Sequence, residues 1–346
     1  MRDNLTKKPA EIAVLYRFAY PELRLHHLGE IMSQLTNNTL PKNHSPMKVG
    51  NCSAPLPIQG TALVVEGGGQ RGIFTAGILD SWLAHDFNPF ALLIGTSAGA
   101  QNLSAYLTQQ PGYAKRSIMQ LSKHPAFFNM KRSLLGGHTV DLDWYFNKVQ
   151  EPEYQLNLNC AQAQLQHRQL LFSATNSNGF RPAFLEPTAD SWLTMLKASS
   201  ALPYLYKKGV AIDGNYYVDG GVALPIPIQE AYQRGAKKII VIRTVPTEQS
   251  AHSPWAHKIK SWVCKTQRCP RVLDLITGHE NAYSEAVDFI HKPPADTQII
   301  EIAPAHKLSS RLLGSSDRAL AADYQMGYEI GTRFLESQSA QLFTQH

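Results

Sequence analysis

Three short stretches of this chain carry residue types that together could transfer an acyl group. The first, TALVVEGGGQRG, closes an apolar run at Glu66 and turns through Gly67, Gly68, Gly69, Gln70, Arg71 and Gly72 into a helical pattern. Glycines let a backbone turn tightly with its N–H groups aimed at one point, and a helix start beyond the turn adds partial positive charge. Such a turn is a cradle for an anion. The second stretch, Gly95-Thr96-Ser97-Ala98-Gly99, follows the apolar ALLI and opens another helical pattern. That is the setting in which G-x-S-x-G exposes a serine hydroxyl on a strained elbow, here with the Ala98 N–H facing the same way as the cradle. The third is Asp219, which ends YYV and precedes Gly220 and Gly221. Alone, Asp-Gly is a common turn cap. Taken together, three strand ends offer donors for an oxyanion, a nucleophile and an acidic group.

The same glycines satisfy G-x-G-x-x-G at Gly67, Gly69 and Gly72, so a nucleotide fold is the first rival. It needs an acidic residue at the end of the second strand to hold a ribose. That strand ends in Gly95-Thr96-Ser97, and Asp86 lies before it, which disfavours a dinucleotide.

The elements that must position these residues follow from the hydrophobic pattern. Apolar runs at 61–65, 91–94, 170–174, 216–218, 239–243 and 298–302 predict buried strands. Helical periodicity predicts helices over 73–84, 98–107, 113–121, 192–198, 227–234, 271–290 and 318–335. Short apolar strands alternating with amphipathic helices imply a three-layer α/β/α domain with a central, mostly parallel sheet, spanning 60–340. Residues 1–50 end in the polar stretch TNNTLPKNHSP and read as an N-terminal appendage and linker, with Met47 a second candidate start.

With these motifs in order, the chain resembles the patatin-like phospholipase family, whose motifs are G-G-G-x-[R/K]-G, G-x-S-x-G and D-G-[G/A]. They stand here at 67–72, 95–99 and 219–221, and ASSALPYLY at 198–206 is similar to the family as well. The resemblance covers 60–245 strongly and the remainder to 335 loosely; it is greatest to stand-alone bacterial members. It implies a patatin-like fold with a hydrolase-type elbow and a serine lipid acyl hydrolase acting on phospholipid or related acyl lipid, with no cofactor and no metal. By the same resemblance, Ser97 and Asp219 form a catalytic dyad, with the amides of Gly68 and Gly69 as the first oxyanion donors and that of Gln70 as a further candidate. Arg71 then holds a substrate phosphate or a nearby carboxylate, or is structural.

A rival mechanism is a Ser–Asp–His triad using one of the histidines after Asp219, namely His252, His257, His279, His291, His306 or His346. None follows a predicted strand with glycine around it, and His279, in ITGHENAYSEAV, reads as a surface or packing residue. A second rival is a catalytically silent protein that binds a phosphorylated ligand in the cradle.

Composition narrows the partners. The 346 residues carry 33 Lys+Arg against 27 Asp+Glu, a net charge of +6 without a long basic run or aromatic–basic module, so nucleic acid is not indicated. No run approaches the roughly 20 apolar residues of a membrane span, and the first residues lack a signal-peptide pattern, which predicts a cytoplasmic protein. The four cysteines read as reduced thiols; Cys264 and Cys269 with His252 and His257 make a poor zinc pattern. Trp255, Ile259, Trp262 and Val263 share a helical face flanked by Lys258, Lys260 and Lys265. Phe127 to Arg132 is a second such stretch. Either gives peripheral contact with a membrane or packs on the core.

Overall fold

A computed structural model describes residues 52, 55–134, 137–203, 205–206, 209–247 and 270–343, with 133–134 and 270–276 described by backbone alone. The N-terminal appendage, the tryptophan segment at 255–265 and the Cys264/Cys269 pair lie outside these residues.

Eight strands form one sheet: β1 (Ile58–Val65), β2 (Phe90–Thr96), β3 (Gln169–Asn176), β4 (Arg181–Leu185), β5 (Val210–Ile212), β6 (Asn215–Asp219), β7 (Lys238–Ile242) and β8 (Gln298–Ile302). Their order is β5-β6-β3-β2-β1-β7-β8, with β4 paired to β3. The run from β3 to β8 is parallel, and β4, β5 and β6 join antiparallel. The α/β architecture and mostly parallel sheet therefore match the sequence expectation.

The helices are α1 (Gly72–Ala84), α2 (Ala98–Leu107), α3 (Tyr113–Arg116), α4 (Met130–Leu134), α5 (Leu142–Val149), α6 (Leu158–Leu165), α7 (Trp192–Ser199), α8 (Ile228–Gln233), α9 (Pro270–His291), α10 (Asp317–Leu335) and α11 (Gln338–Gln341). The expected helix over 113–121 is α3 followed by a π-helical turn at Ser117–Leu121. Two unexpected helices start on side-chain caps: Asp141 accepts the Trp144 N–H before α5, and Asn157 accepts that of Cys160 before α6.

Why the central strands are apolar throughout is clear from their two covered faces. On one face Ala62, Val64, Leu92, Ile94, Leu171, Ile239 and Val241 pack against Ile228 and Ala231 of α8 and Tyr283, Ala286 and Ile290 of α9. On the other, Phe172 meets Trp192 of α7 edge-on at 5.7 Å, and the Trp192 indole N–H donates to Ser104 of α2. Beyond α1 lies α10, joined by the Trp82–Phe334 ring contact and by the Trp82 N–H donating to the Gly331 carbonyl. Both C-terminal helices are thus part of the same core as the sheet.

Candidate active site

Strand register brings the second and third motifs together. Thr96 of β2 pairs with Ser173 of β3, and the next β3 residue, Ala174, pairs with Asp219 of β6. Because β6 runs antiparallel to β3, Asp219 arrives beside the elbow from the opposite chain direction, a route different from the parallel strand end expected. Ser97 sits at φ 54°, ψ −119°, between β2 and α2. A non-glycine residue there costs about 1–3 kcal/mol and persists only where its surroundings hold it. They do so here. The Ser97 N–H donates to Ser199 Oγ at 2.9 Å, and the Ser199 hydroxyl donates to the Ser173 carbonyl at 2.6 Å. Gly99 is needed for a different reason, since a Cβ there would lie 2.4 Å from the Val65 carbonyl oxygen. Gly95 is the last β2 residue but one, and Ala98 is the first residue of α2, where helix N–H groups have no intrahelical acceptor.

Asp219 is buried, and its carboxylate lies beside the Ser97 side chain and accepts the Gly221 N–H at 2.8 Å. Its own N–H donates to the Ala201 carbonyl, and its carbonyl accepts the Thr175 hydroxyl. Burial pushes the carboxyl from its ordinary value near 3.8 up to about 6, against Ser97 and the Gly221 N–H, which favour the charged form. Gly220 and Gly221 continue from it as a 3-10 turn. Ser97 and Asp219 line the same cleft, and the Ser97 side chain lies close enough to favour the charged carboxylate.

The glycine turn faces this pair across the cleft. Gly69–Arg71 is a 3-10 turn and Gly72 begins α1. Gly69 has φ 57°, and a Cβ there would come within 2.3 Å of the Leu312 carbonyl oxygen. Behind the turn, Thr244 donates its hydroxyl to the Gly67 carbonyl at 2.9 Å and its N–H to the Glu66 carboxylate at 2.6 Å. Gly68 accepts the Arg71 N–H and, more weakly, Arg71 Nε at 3.4 Å, so this guanidinium folds back on its own turn. Gln70 plays a part other than the expected one. Its N–H donates to the Leu312 carbonyl, its side-chain nitrogen to Ser122, and its side-chain oxygen accepts the Ser315 N–H at 2.8 Å. Gln70 therefore fastens the turn and has no amide left for an anion. Among the described residues, the Gly68 and Gly69 N–H groups have no backbone acceptor.

These groups line one cleft enclosing about 1330 Å³, part of it open to solvent. Its polar end holds Ser97, Asp219 and the glycine turn; its walls include Ile118, Phe127, Val140, Leu142, Leu205 and Leu312. Phe127, in a stretch read as membrane-facing or core-packed, is a buried wall residue, and Arg132 is engaged by the Ala126, Phe127 and His138 carbonyls and Asp141. Met130 alone of that stretch is a strongly exposed apolar residue. His279, read from sequence as a surface or packing residue, is the second of these. It is buried on α9, lines the cleft, and contacts the Gly221 carbonyl through Nδ1. Ser199 and Thr244 were not singled out from sequence, though Ser199 lies in the stretch ASSALPYLY; His279 was weighed only as a triad member or a surface or packing residue.

An α/β sheet with its serine elbow opening on an apolar cleft is the architecture of a hydrolase, and comparison with known proteins agrees. Residues 63–232 match the family described as patatin-like phospholipase, and residues 269–343 match DUF6363, a domain of unknown function. Uncharacterized protein YjjU of Escherichia coli strain K12 is 40% identical over 296 residues, covering 84% of this chain and 82% of that one. The chain belongs to the patatin-like phospholipase family and is a hydrolase. Among solved structures, VipD from Legionella pneumophila gives a TM-score of 0.42 at 14% identity, over 88% of this chain and 72% of that one. Human GIVD cytosolic phospholipase A2 gives 0.41 at 11% identity, over 84% and 62%.

Proposed function

We propose that this chain is a serine lipid acyl hydrolase that cleaves carboxylic ester bonds of phospholipids or related acyl lipids through Ser97 and Asp219. The observation that carries this reading is the Ser97 side chain set beside the buried Asp219 carboxylate at the polar end of an apolar cleft. An acyl chain lies along the walls, which brings its carbonyl carbon to Ser97 Oγ and its carbonyl oxygen to the glycine turn. Asp219 takes the Ser97 proton as Oγ attacks. The negative charge formed on the carbonyl oxygen is held by the amides of Gly68 and Gly69, joined by Ala98 at the elbow. Collapse of that intermediate expels the alcohol, which leaves with the proton held by Asp219. Water, deprotonated by the same carboxylate, then releases the fatty acid.

An ordinary aspartate is a weak base for a hydroxyl. Two features compensate. Burial raises the carboxyl to about 6, closer to working pH. Each oxyanion donor contributes about 2.7–4 kcal/mol in sites of this kind. Arg71, half-buried at the cleft and bonded to Gly68, supports the turn in this reading and stays available to an anionic head group. Among the described residues no helix is long and apolar enough to cross a membrane, so lipid is met from outside the bilayer through a peripheral contact in this reading.

A lipid-panel hydrolysis assay tests the proposal. Fatty acid release from phospholipid or monoacyl lipid by the wild type, absent in Ser97→Ala and in Asp219→Asn, supports it. Ligand binding without turnover in the wild type would instead favour the phospho-ligand-binding alternative.

A further inference from the structure

Region 269–343 matches a domain of unknown function, yet it is not set apart from the hydrolase. β8 extends the central sheet beyond β7, and α9 contributes to the same core cluster as β1, β2 and β7. Two of its segments reach the cleft. Leu312 and Ser315 grip Gln70 behind the oxyanion turn. On α9, His279 reaches the turn that carries Asp219, and Tyr283, one helical turn later, lines the cleft as well.

Gly221 links His279 to Asp219. Its N–H donates to Asp219 Oδ1 at 2.8 Å, while its carbonyl faces His279 Nδ1. A carbonyl oxygen can only accept, so Nδ1 carries the proton. Gly221 is thus held on both sides, by the carboxylate through N–H and by the imidazole through C=O. A glycine has no side chain of its own to pack, so the orientation of the two peptide groups that flank its Cα depends on such bonds.

We infer that His279 is a positioning residue of the hydrolase, fixing the Gly221 carbonyl and with it the course of the turn whose Gly221 N–H meets Asp219, and that supplying this contact is a function of the C-terminal region. The inference rests on the proposed Ser97–Asp219 chemistry. His279 transfers no proton in it. Burial holds the imidazole below its ordinary value, which favours the neutral ring with Nδ1–H as donor to the Gly221 carbonyl. Besides Asp219 itself, the charged side chains at the cleft are Glu66 and Arg71, and Glu280 neighbours His279 on α9. Tyr113, Tyr145, Tyr206 and Tyr283 face the same space, and burial raises each of them.

Loss of the donor frees the Gly221 peptide. Misplacement by about 1 Å costs on the order of 100-fold in such sites. Asp219 would also lose a bond that favours its charged form, which moves its titration to higher pH.

The test compares His279→Leu, which keeps bulk and removes the donor, with His279→Asn, whose carboxamide nitrogen takes the place of Nδ1. Full-length variants are checked by near-UV circular dichroism and assayed for kcat and KM on a soluble short-chain ester between pH 4.5 and 9. Expected for His279→Leu is a fall in kcat of about 10–100-fold with little change in KM and an acid limb displaced upward, largely restored in His279→Asn. Wild-type kcat and acid limb in His279→Leu overturn the inference while Ser97→Ala remains inactive. Folded Leu and Asn variants both as inactive as Ser97→Ala overturn it too, since His279 would then take part in the chemistry. Should the Leu variant not fold, His279→Asn decides alone: near wild-type activity supports the inference, and loss to the Ser97→Ala level overturns it. Activity surviving in Ser97→Ala removes the proposed function itself, and the inference with it.

Discussion

At the scale of single residues, the account turns on one carboxyl group made a better base by being buried. Asp219 must be ionised to take the Ser97 proton, so activity should fall as pH drops through about 6, read as the acid limb of kcat/KM. Ionisation and burial oppose each other in stability as well. The folded value lies above the unfolded one, so Asp219 stabilises the fold below about 3.8 and this contribution is lost as pH rises through about 6. Asn at this position keeps an acceptor for Ser97 and Gly221 and carries no charge. Asp219→Asn should therefore abolish turnover yet melt higher than wild type at pH 8, by up to about 3 kcal/mol, with the difference vanishing near pH 4. Equal melting at pH 8 would contradict the burial argument. Ser97 and Asp219 were legible in sequence because glycines flank both and each ends a strand pattern. The parts played by Ser199, Thr244 and His279 were not: each acts through bonds to residues far along the chain, and no local spacing encodes that.

Elements decide whether the serine is held. The elbow places Ser97 in a conformation that its own backbone disfavours, and the relay from Ser97 N–H to Ser199 and on to the Ser173 carbonyl anchors it across α7, β2 and β3. Ser199→Ala leaves the Ser97 N–H without that acceptor in a buried place, a loss of about 1–3 kcal/mol. We expect a lower melting temperature together with a drop in kcat, because the released strain moves the nucleophile; a stability change with unaltered kcat would show that the anchor is structural only. Central strands and long helices could be read from pattern because burial on both faces fixes their composition. The antiparallel β4 and β5 were harder to read. β4 reads RPAFL, exposed at its first two residues, and β5 has three residues, so neither shows the apolar run by which the central strands were recognised. The π-helical turn at Ser117–Leu121 likewise shares the helical period of α3 and differs only in backbone bonding, which side-chain pattern does not reveal.

For the whole molecule, the division into a family region and a region of unknown function does not follow the core. β7 would become a sheet edge without β8, and α1 would lose α10 and the Trp82–Phe334 contact. A chain ending at residue 247 should accordingly be insoluble or unfolded, whereas two separate domains would leave it folded and monodisperse by size exclusion and circular dichroism. The sheet order could not be obtained from sequence, since strand adjacency depends on packing rather than on the strands themselves; the convergence of three motifs on one edge was the part that motif chemistry could anticipate. The measurement that bears most directly on the central claim is intact-mass and peptide mapping after reaction with a lipid-like fluorophosphonate. The account predicts a single adduct on Ser97, absent in Ser97→Ala and formed far more slowly in Asp219→Asn. A label on another residue, or equal labelling of the Asp219→Asn protein, would contradict it.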